Sequence, residues 1–216
     1  MLTSRRIEIV IWGRGGQGAK TAGDLLTLAL YRAGMNPQGQ PRYSADRMGA
    51  PVTYAIRYNG DRSRVADPSW IRNPQIVILF DLTLLEEYDL TKSWPTGMMV
   101  VANARPAAAQ LDRLHRFRVA LLDGAQIARE CGLMKGSVPA LSTVMPGAFA
   151  AASGLLTLES LEAVTPEMRG PISRYPEPNI RALRAGYSQV AFLAPGKEAS
   201  HVAPAWMSNV HGSDSA

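Results

Sequence analysis

The stretch Arg6-Ile-Glu-Ile-Val-Ile-Trp12, followed at once by Gly13-Arg14-Gly15-Gly16-Gln17-Gly18, decides the fold class. Seven mostly β-branched and apolar residues read as a buried strand. From about Gln17 to Arg32, Ala22, Leu25, Leu26, Ala29 and Ala33 recur at three- and four-residue spacing. That periodicity predicts an amphipathic helix, with Gly34 where a C-terminal cap belongs. Strand, glycine loop and helix in this order predict an α/β fold, a Rossmann-like open and mostly parallel sheet flanked by helices. The loop allows close approach to the backbone at a helix N-terminus, which suits an anion.

Working outward, residues 35–51 carry Pro37, Gly39, Pro41, Gly49 and Pro51 and read as irregular. So long a structureless stretch inside a domain is usually functional. Val52–Tyr58 alternates as a strand, Asn59-Gly60 is a hairpin signal and Arg62–Val65 reads as the returning strand, so one inserted β-hairpin is expected. Gln75–Phe80, Gly97–Ala102 and Phe117–Leu122 are further strands, with a short helix at Leu82–Tyr88. Asp123 can cap a helix that runs to Cys131 and ends at Gly132. Helices are predicted at Leu141–Leu155, Leu158–Val164 and Pro178–Phe192. The α/β domain is thus expected over residues 1–193. An extended C-terminal tail, rich in Ala, Pro, Gly and Ser, occupies 194–216.

The 216 residues are 46% hydrophobic and 19% charged, enough apolar material for a packed core. No apolar run nears the ~18–20 residues that cross a bilayer. Glu8 interrupts the apolar stretch behind Arg5 and Arg6, against a secretory signal, so a cytoplasmic protein without membrane contact is expected. One cysteine, Cys131, read as a core residue, and three histidines, His115, His201 and His211, make neither a disulfide framework nor a metal-ligand set. The net charge of +5 gathers in residues 1–80, where eleven basic residues face five acidic ones. Only four of the 23 basic residues are lysines, and arginine is the side chain for bidentate phosphate or carboxylate pairing. A nucleic-acid-binding module is the weakest reading, because aromatics are 7% of the chain and no helix carries a basic run.

The loop has two lookalikes. A nicotinamide or flavin site, the alternative of a free-standing dinucleotide-binding oxidoreductase, wants a ribose-holding acid ~20 residues on, and none lies between Asp24 and Asp46. A P-loop wants Lys and Ser/Thr directly after the last glycine, but Ala19 intervenes before Lys20-Thr21 and turns the lysine by ~100°. No G-x-S-x-G elbow or acid–base pair is legible, and Glu86 and Glu87 read as surface helix residues. Such a chain suits a subunit whose chemistry is completed elsewhere.

Three segments together resemble the gamma subunit of the 2-oxoacid:acceptor oxidoreductases. The first is Ile11-Trp-Gly-Arg-Gly-Gly-Gln-Gly18. The second is Arg42-Tyr-Ser-Ala-Asp-Arg-Met-Gly-Ala-Pro-Val52, with Met48 at the place of a usual arginine. The third combines Gly147-Ala148 with Asn179-Ile-Arg-Ala-Leu-Arg-Ala-Gly-Tyr187; Ser142 and Pro146 stand where the family often has Asn and Leu. The resemblance covers about residues 6–192. It implies oxidative decarboxylation of a 2-oxoacid to acyl-CoA in a hetero-oligomer. Thiamine diphosphate with Mg would sit on alpha and beta subunits, and 4Fe–4S clusters in beta and a ferredoxin-like delta subunit. This chain would help bind coenzyme A and close the active site. Gly13, Arg14, Gly15, Gly16, Gln17, Gly18, Lys20 and Arg47 are the expected contacts, with the three cations meeting the phosphates.

Overall fold

A computed structural model describes residues 6–43, 49–193 and 199–200. The strands are β1 (Arg6–Arg14), β2 (Gln38–Tyr43), β3 (Pro51–Asn59), β4 (Ile76–Leu79), β5 (Met99–Asn103), β6 (Arg118–Leu122), β7 (Met134–Lys135), β8 (Val138–Pro139), β9 (Ala191–Leu193) and β10 (Ala199–Ser200). The helices are α1 (Ala19–Arg32), α2 (Leu84–Glu87), α3 (Gly124–Glu130), α4 (Val144–Ser153), α5 (Leu158–Val164), α6 (Pro171–Arg174) and α7 (Pro176–Ser188). The main sheet runs β10-β9-β6-β5-β4-β1-β3-β2. Its centre, β6-β5-β4-β1, is parallel, and antiparallel strands extend it on both sides. The expected α/β, Rossmann-like sheet is present.

The strand residues alternate between two cores. Ile9, Ile11, Ile76, Ile78, Met99 and Val101 face the layer of α1, α3, α4, α5 and α7. Val10, Val77, Leu79, Val100 and Ala102 face the other side, under Leu84 and Leu85 of α2 and the loop residues Trp94, Leu114 and Phe117. Burial on both faces explains why these strands read as continuous apolar runs. The helical layer is tightest where α4 crosses α7. A Cβ on Gly147 would lie 2.2 Å from the Leu183 carbonyl oxygen, and one on Gly186 would lie 2.1 Å from that of Val144. The two backbones touch, so only glycine fits at either place. Thr143 and Asn179, both buried there, are bonded, the hydroxyl donating to Oδ1 at 3.1 Å while the Asn179 amide donates to Tyr175 O at 2.8 Å.

Two expectations about the middle of the chain are corrected. Residues 35–51 are not wholly irregular, because Gln38–Tyr43 forms β2, and it is β2 that pairs with β3. Pro41 lacks an N–H, which an edge strand tolerates. The Arg62–Val65 return strand does not form. Both edges of β3 are already taken, by β1 and by β2, so no ladder remains for it. Instead Asn59 accepts from the Arg62 N–H at 3.0 Å, and buried Arg57 donates to the carbonyls of Asp67 and Ser69, drawing that segment across β3.

The last helix also ends earlier than expected. The helix expected to reach Phe192 stops at Ser188, and Ala191–Leu193 pairs with β6. Val190 and Phe192 suit a strand better than a helix. Of the expected tail, Ala199–Ser200 pairs antiparallel with β9, and residues 201–216 lie outside those described. Asp123 caps α3 as expected, accepting from the Gln126 N–H at 2.9 Å, and Cys131 is partly buried against the helical core.

Candidate functional site

β1 is the hinge of the sheet, with parallel β4 on one side and antiparallel β3 on the other. In open α/β sheets, ligands gather at the carboxyl ends of strands where the order turns. The glycine loop leaves β1 there. Gly16 and Gly18 have φ of +100° and +91°, a region that glycine enters without penalty. Gly18 begins α1 with no side-chain cap, so the first-turn N–H groups have no partner within the helix.

The loop is braced on both sides. The Gly15 N–H donates to Ala50 O at 2.9 Å, and the Leu141 N–H donates to Gln17 O at 2.9 Å. Gln17 also turns its side chain inward, where Oε1 accepts from the Arg14 N–H at 2.8 Å. Between the braces lies a cavity of about 700 Å³. Arg14, Gly15, Gly16, Gly18, Lys20 and Thr21 form its floor. Tyr43, Pro51 and Val52 from β2 and β3, Met134 and Lys135 from β7, Ser142, and Pro171 and Ile172 from α6 complete the lining. Gly13 lies beneath the loop rather than in the cavity, where a Cβ would meet Ala19 and Phe80 at 3.0 and 3.2 Å.

The three cations at the cavity differ in their commitments. Arg14 is held fast: Nε donates to Asp81 at 2.9 Å, Nη2 to Thr83 Oγ1 at 2.7 Å and to Glu87 at 2.6 Å, and Nη1 to Gly49 O at 3.2 Å. The bond to Glu87 and the charge of Asp81 push its pKa up, and Arg14 in turn pulls that of Glu87 down. Glu87 is therefore a partner of the loop, more than the surface helix residue its sequence suggested. Lys20 pairs with Asp24 one turn along α1 at 2.5 Å, a contact that raises its pKa. Lys135 has no ion-pair partner among the described residues. Arg47 lies outside the described residues.

Sequence reasoning missed the β7–β8 hairpin and with it Met134 and Lys135. The available signal was Gly136 between two short segments, weak because each strand is only two residues long. Among the described residues no three His, Cys, Asp or Glu side chains gather as metal ligands, and no helix is long and apolar enough to cross a membrane. The ordinary dinucleotide reading loses further ground. α1 leads to β2, which runs in the direction of β1 but is separated from it by antiparallel β3 and ends in Arg42-Tyr43, so no second strand beside β1 ends in a ribose-holding acid.

Residues 8–189 match the family described as pyruvate ferredoxin/flavodoxin oxidoreductase. The chain belongs to this family. Its relatives lie among the gamma-type subunits. It is 34% identical over 188 residues to the pyruvate/ketoisovalerate oxidoreductases common subunit gamma of Thermococcus kodakarensis, a match covering 85% of this chain and 96% of that one. It is 34% identical over 155 residues to the pyruvate synthase subunit PorC of Methanosarcina barkeri, covering 72% and 82%. The crystal structure of the pyruvate oxidoreductase subunit PORC of Thermotoga maritima superposes with a TM-score of 0.69 at 28% identity, over 86% of this chain and 97% of that one. The fold also recurs in the 2-oxoglutarate:ferredoxin oxidoreductase of Magnetococcus marinus, whose structure holds 2-oxoglutarate, coenzyme A and succinyl-CoA. There the TM-score is 0.67 at 16% identity, over 84% of this chain and 30% of that one.

Proposed function

We propose that this chain is the gamma subunit of a cytoplasmic 2-oxoacid:acceptor oxidoreductase complex, and that its cavity binds coenzyme A and helps close the active site. One observation supports the reading. In a chain of this family, the described residues lining the cavity include three cations and an uncapped helix start but no carboxylate. Such a lining attracts phosphate. Lys20 and Lys135 supply positive charge to the phosphates. Gly16 and Gly18 let the ligand approach the backbone. Arg14 keeps the loop in shape from beneath. Arg47 belongs to the segment between Tyr43 and Ala50, both of which line the cavity, and joins the phosphate contacts in this reading. Thiamine diphosphate, with its Mg on alpha and beta subunits, supplies the decarboxylation chemistry when bound. Iron–sulfur clusters on beta and a ferredoxin-like delta subunit carry the electrons away, to ferredoxin or to NAD.

The test is reconstitution with and without this chain, followed by kinetics of the complete complex. Acyl-CoA formation should require the chain. A charge-assisted contact to phosphate contributes ~1.5–3 kcal/mol, so Arg47→Ala should raise the KM for coenzyme A about 10- to 150-fold. The KM for the 2-oxoacid should move far less. Full activity without the chain, or equal damage to both KM values, would defeat the reading.

A further inference from the structure

Lys20 stands where a helix does not favour a cation. It is the second residue of α1, where the first-turn N–H groups and the helix dipole both present positive charge. Its ion-pair partner, Asp24, follows four residues later, and base before acid at that spacing is the weaker order for a helical pair. Helix stability therefore does not account for Lys20, whereas an anion at the cavity floor does.

Asp24 is itself held from a second side. Lys20 Nζ donates to its Oδ2 at 2.5 Å, and the Tyr54 hydroxyl on β3 donates to its Oδ1 at 3.0 Å, so each carboxylate oxygen has its own donor. Tyr54 is buried, and two glycines make room for it. A Cβ on Gly23 of α1 would lie 2.3 Å from Cγ of the Tyr54 ring, and one on Gly39 of β2 would lie 2.4 Å from the hydroxyl oxygen. Gly39 thus clears the seat of the hydroxyl itself. Burial pushes the Tyr54 pKa up to about 12, which keeps that hydroxyl protonated and able to donate.

Resting on the reading that coenzyme A binds in the cavity, we infer that Tyr54 and Asp24 are positioning residues, through which β3 holds the Lys20 ammonium in place for phosphate. An ammonium has three donors, and the bond to Asp24 uses one, leaving two for a ligand. A loose lysine loses rotamer freedom when it meets a ligand, and one already fixed loses less. Asp24 lies outside the cavity lining, so it fixes Lys20 without placing an acid before the ligand.

The experiment measures the dissociation constant of coenzyme A from the assembled complex, without 2-oxoacid, for Tyr54→Phe, Lys20→Met and the double variant. Tyr54→Phe keeps the ring packed on Gly23 and removes only the hydroxyl. It should weaken binding about three- to tenfold, and Lys20→Met about tenfold or more. In the Lys20→Met background, Tyr54→Phe should change nothing further. A packing effect of Tyr54 would persist without Lys20, so equal weakening in both backgrounds would overturn the inference, as would unaltered binding in Tyr54→Phe alone. Arg47→Ala reports on the coenzyme A reading independently. If it weakens binding while Lys20→Met does not, the positioning role fails and the coenzyme A reading stands. If neither weakens binding, coenzyme A binds elsewhere and both fall.

Discussion

The glycine loop and the crossing of α4 with α7 are both built on glycine, and they use it in opposite ways. At the helix crossing the space beside each Cα is already filled, with carbonyl oxygens of the neighbouring helix within 2.1–2.2 Å of a hypothetical Cβ. At Gly16 a Cβ would meet only Val138 Cγ1, at 3.8 Å. One pair of glycines is compulsory for packing. In the loop, Gly16 leaves backbone open to a cavity, at a φ that L-residues avoid, while Gly18 shares that φ but packs on Ser142, whose Cβ would lie 2.9 Å from an added Cβ. The forces around them differ as well. The crossing is a dry contact of Val144, Gly147, Leu183 and Gly186, whereas the loop is steadied by Arg14 and its carboxylates.

The sharpest way to break this comparison is Gly186→Ala. The added methyl must push α4 and α7 apart, and overpacking of this severity costs about 3 kcal/mol or more. In a chain of this size that lowers Tm by about 6–12 °C. Thermal unfolding should reveal it, and a Tm within 2 °C of wild type (about 0.5–1 kcal/mol) would mean that the helices slide freely. Gly16→Ala comes next. Here the cost is conformational, about 1–2 kcal/mol for holding an L-residue at that φ, with a Tm loss of about 2–8 °C. Its effect on the KM for coenzyme A should be large compared with that of Gly186→Ala measured on whatever complex assembles. A Gly16→Ala variant as unstable as Gly186→Ala would erase the distinction.

The smallest effect is electrostatic and separates the two regions by pH. Arg14 lowers the pKa of Glu87 in the folded state. The contact therefore contributes stability above the ordinary carboxylate value, near 4.5, and loses it as pH falls through the lowered folded value. Amide exchange at residues 13–18 should speed up as pH falls from 5 towards 3, after correction for intrinsic rates. Exchange at Gly147 and Gly186 should not, because no titratable side chain takes part in that contact. Arg14→Gln should flatten the response of the loop. An equal response in both regions would show that acid loosens the whole domain rather than the loop.

Much of this arrangement is legible in the sequence, for reasons that are local. The apolar run Ile7–Trp12, the glycines behind it and the 3.6-residue spacing of Leu25, Leu26 and Ala29 each act within a few residues, so strand, loop and helix follow directly. The Asp123 cap is equally local. The candidate residues Arg14, Gly15, Gly16, Gly18 and Lys20 do converge on one cavity because they are neighbours in the chain. What the sequence could not reveal depends on partners far away in it. Asn59-Gly60 has the chemistry of a hairpin turn, yet the hairpin fails because β1 and β2 occupy both edges of β3. Gln38–Tyr43 has poor strand composition, yet it pairs along the edge of β3 that β1 does not occupy.

The sequence by itself determined the α/β class, the position of the glycine loop and the family, since those rest on short-range periodicity and on motifs read residue by residue. Only the tertiary structure decided what the loop's charges do. Arg14 and Lys20 look alike as cations on a string, but folding brings Asp81 and Glu87 to Arg14 across more than sixty residues and adds Lys135 to the cavity lining. A charge's role is set by which counter-charges stand within about 4 Å, and that distance exists only once the chain is folded.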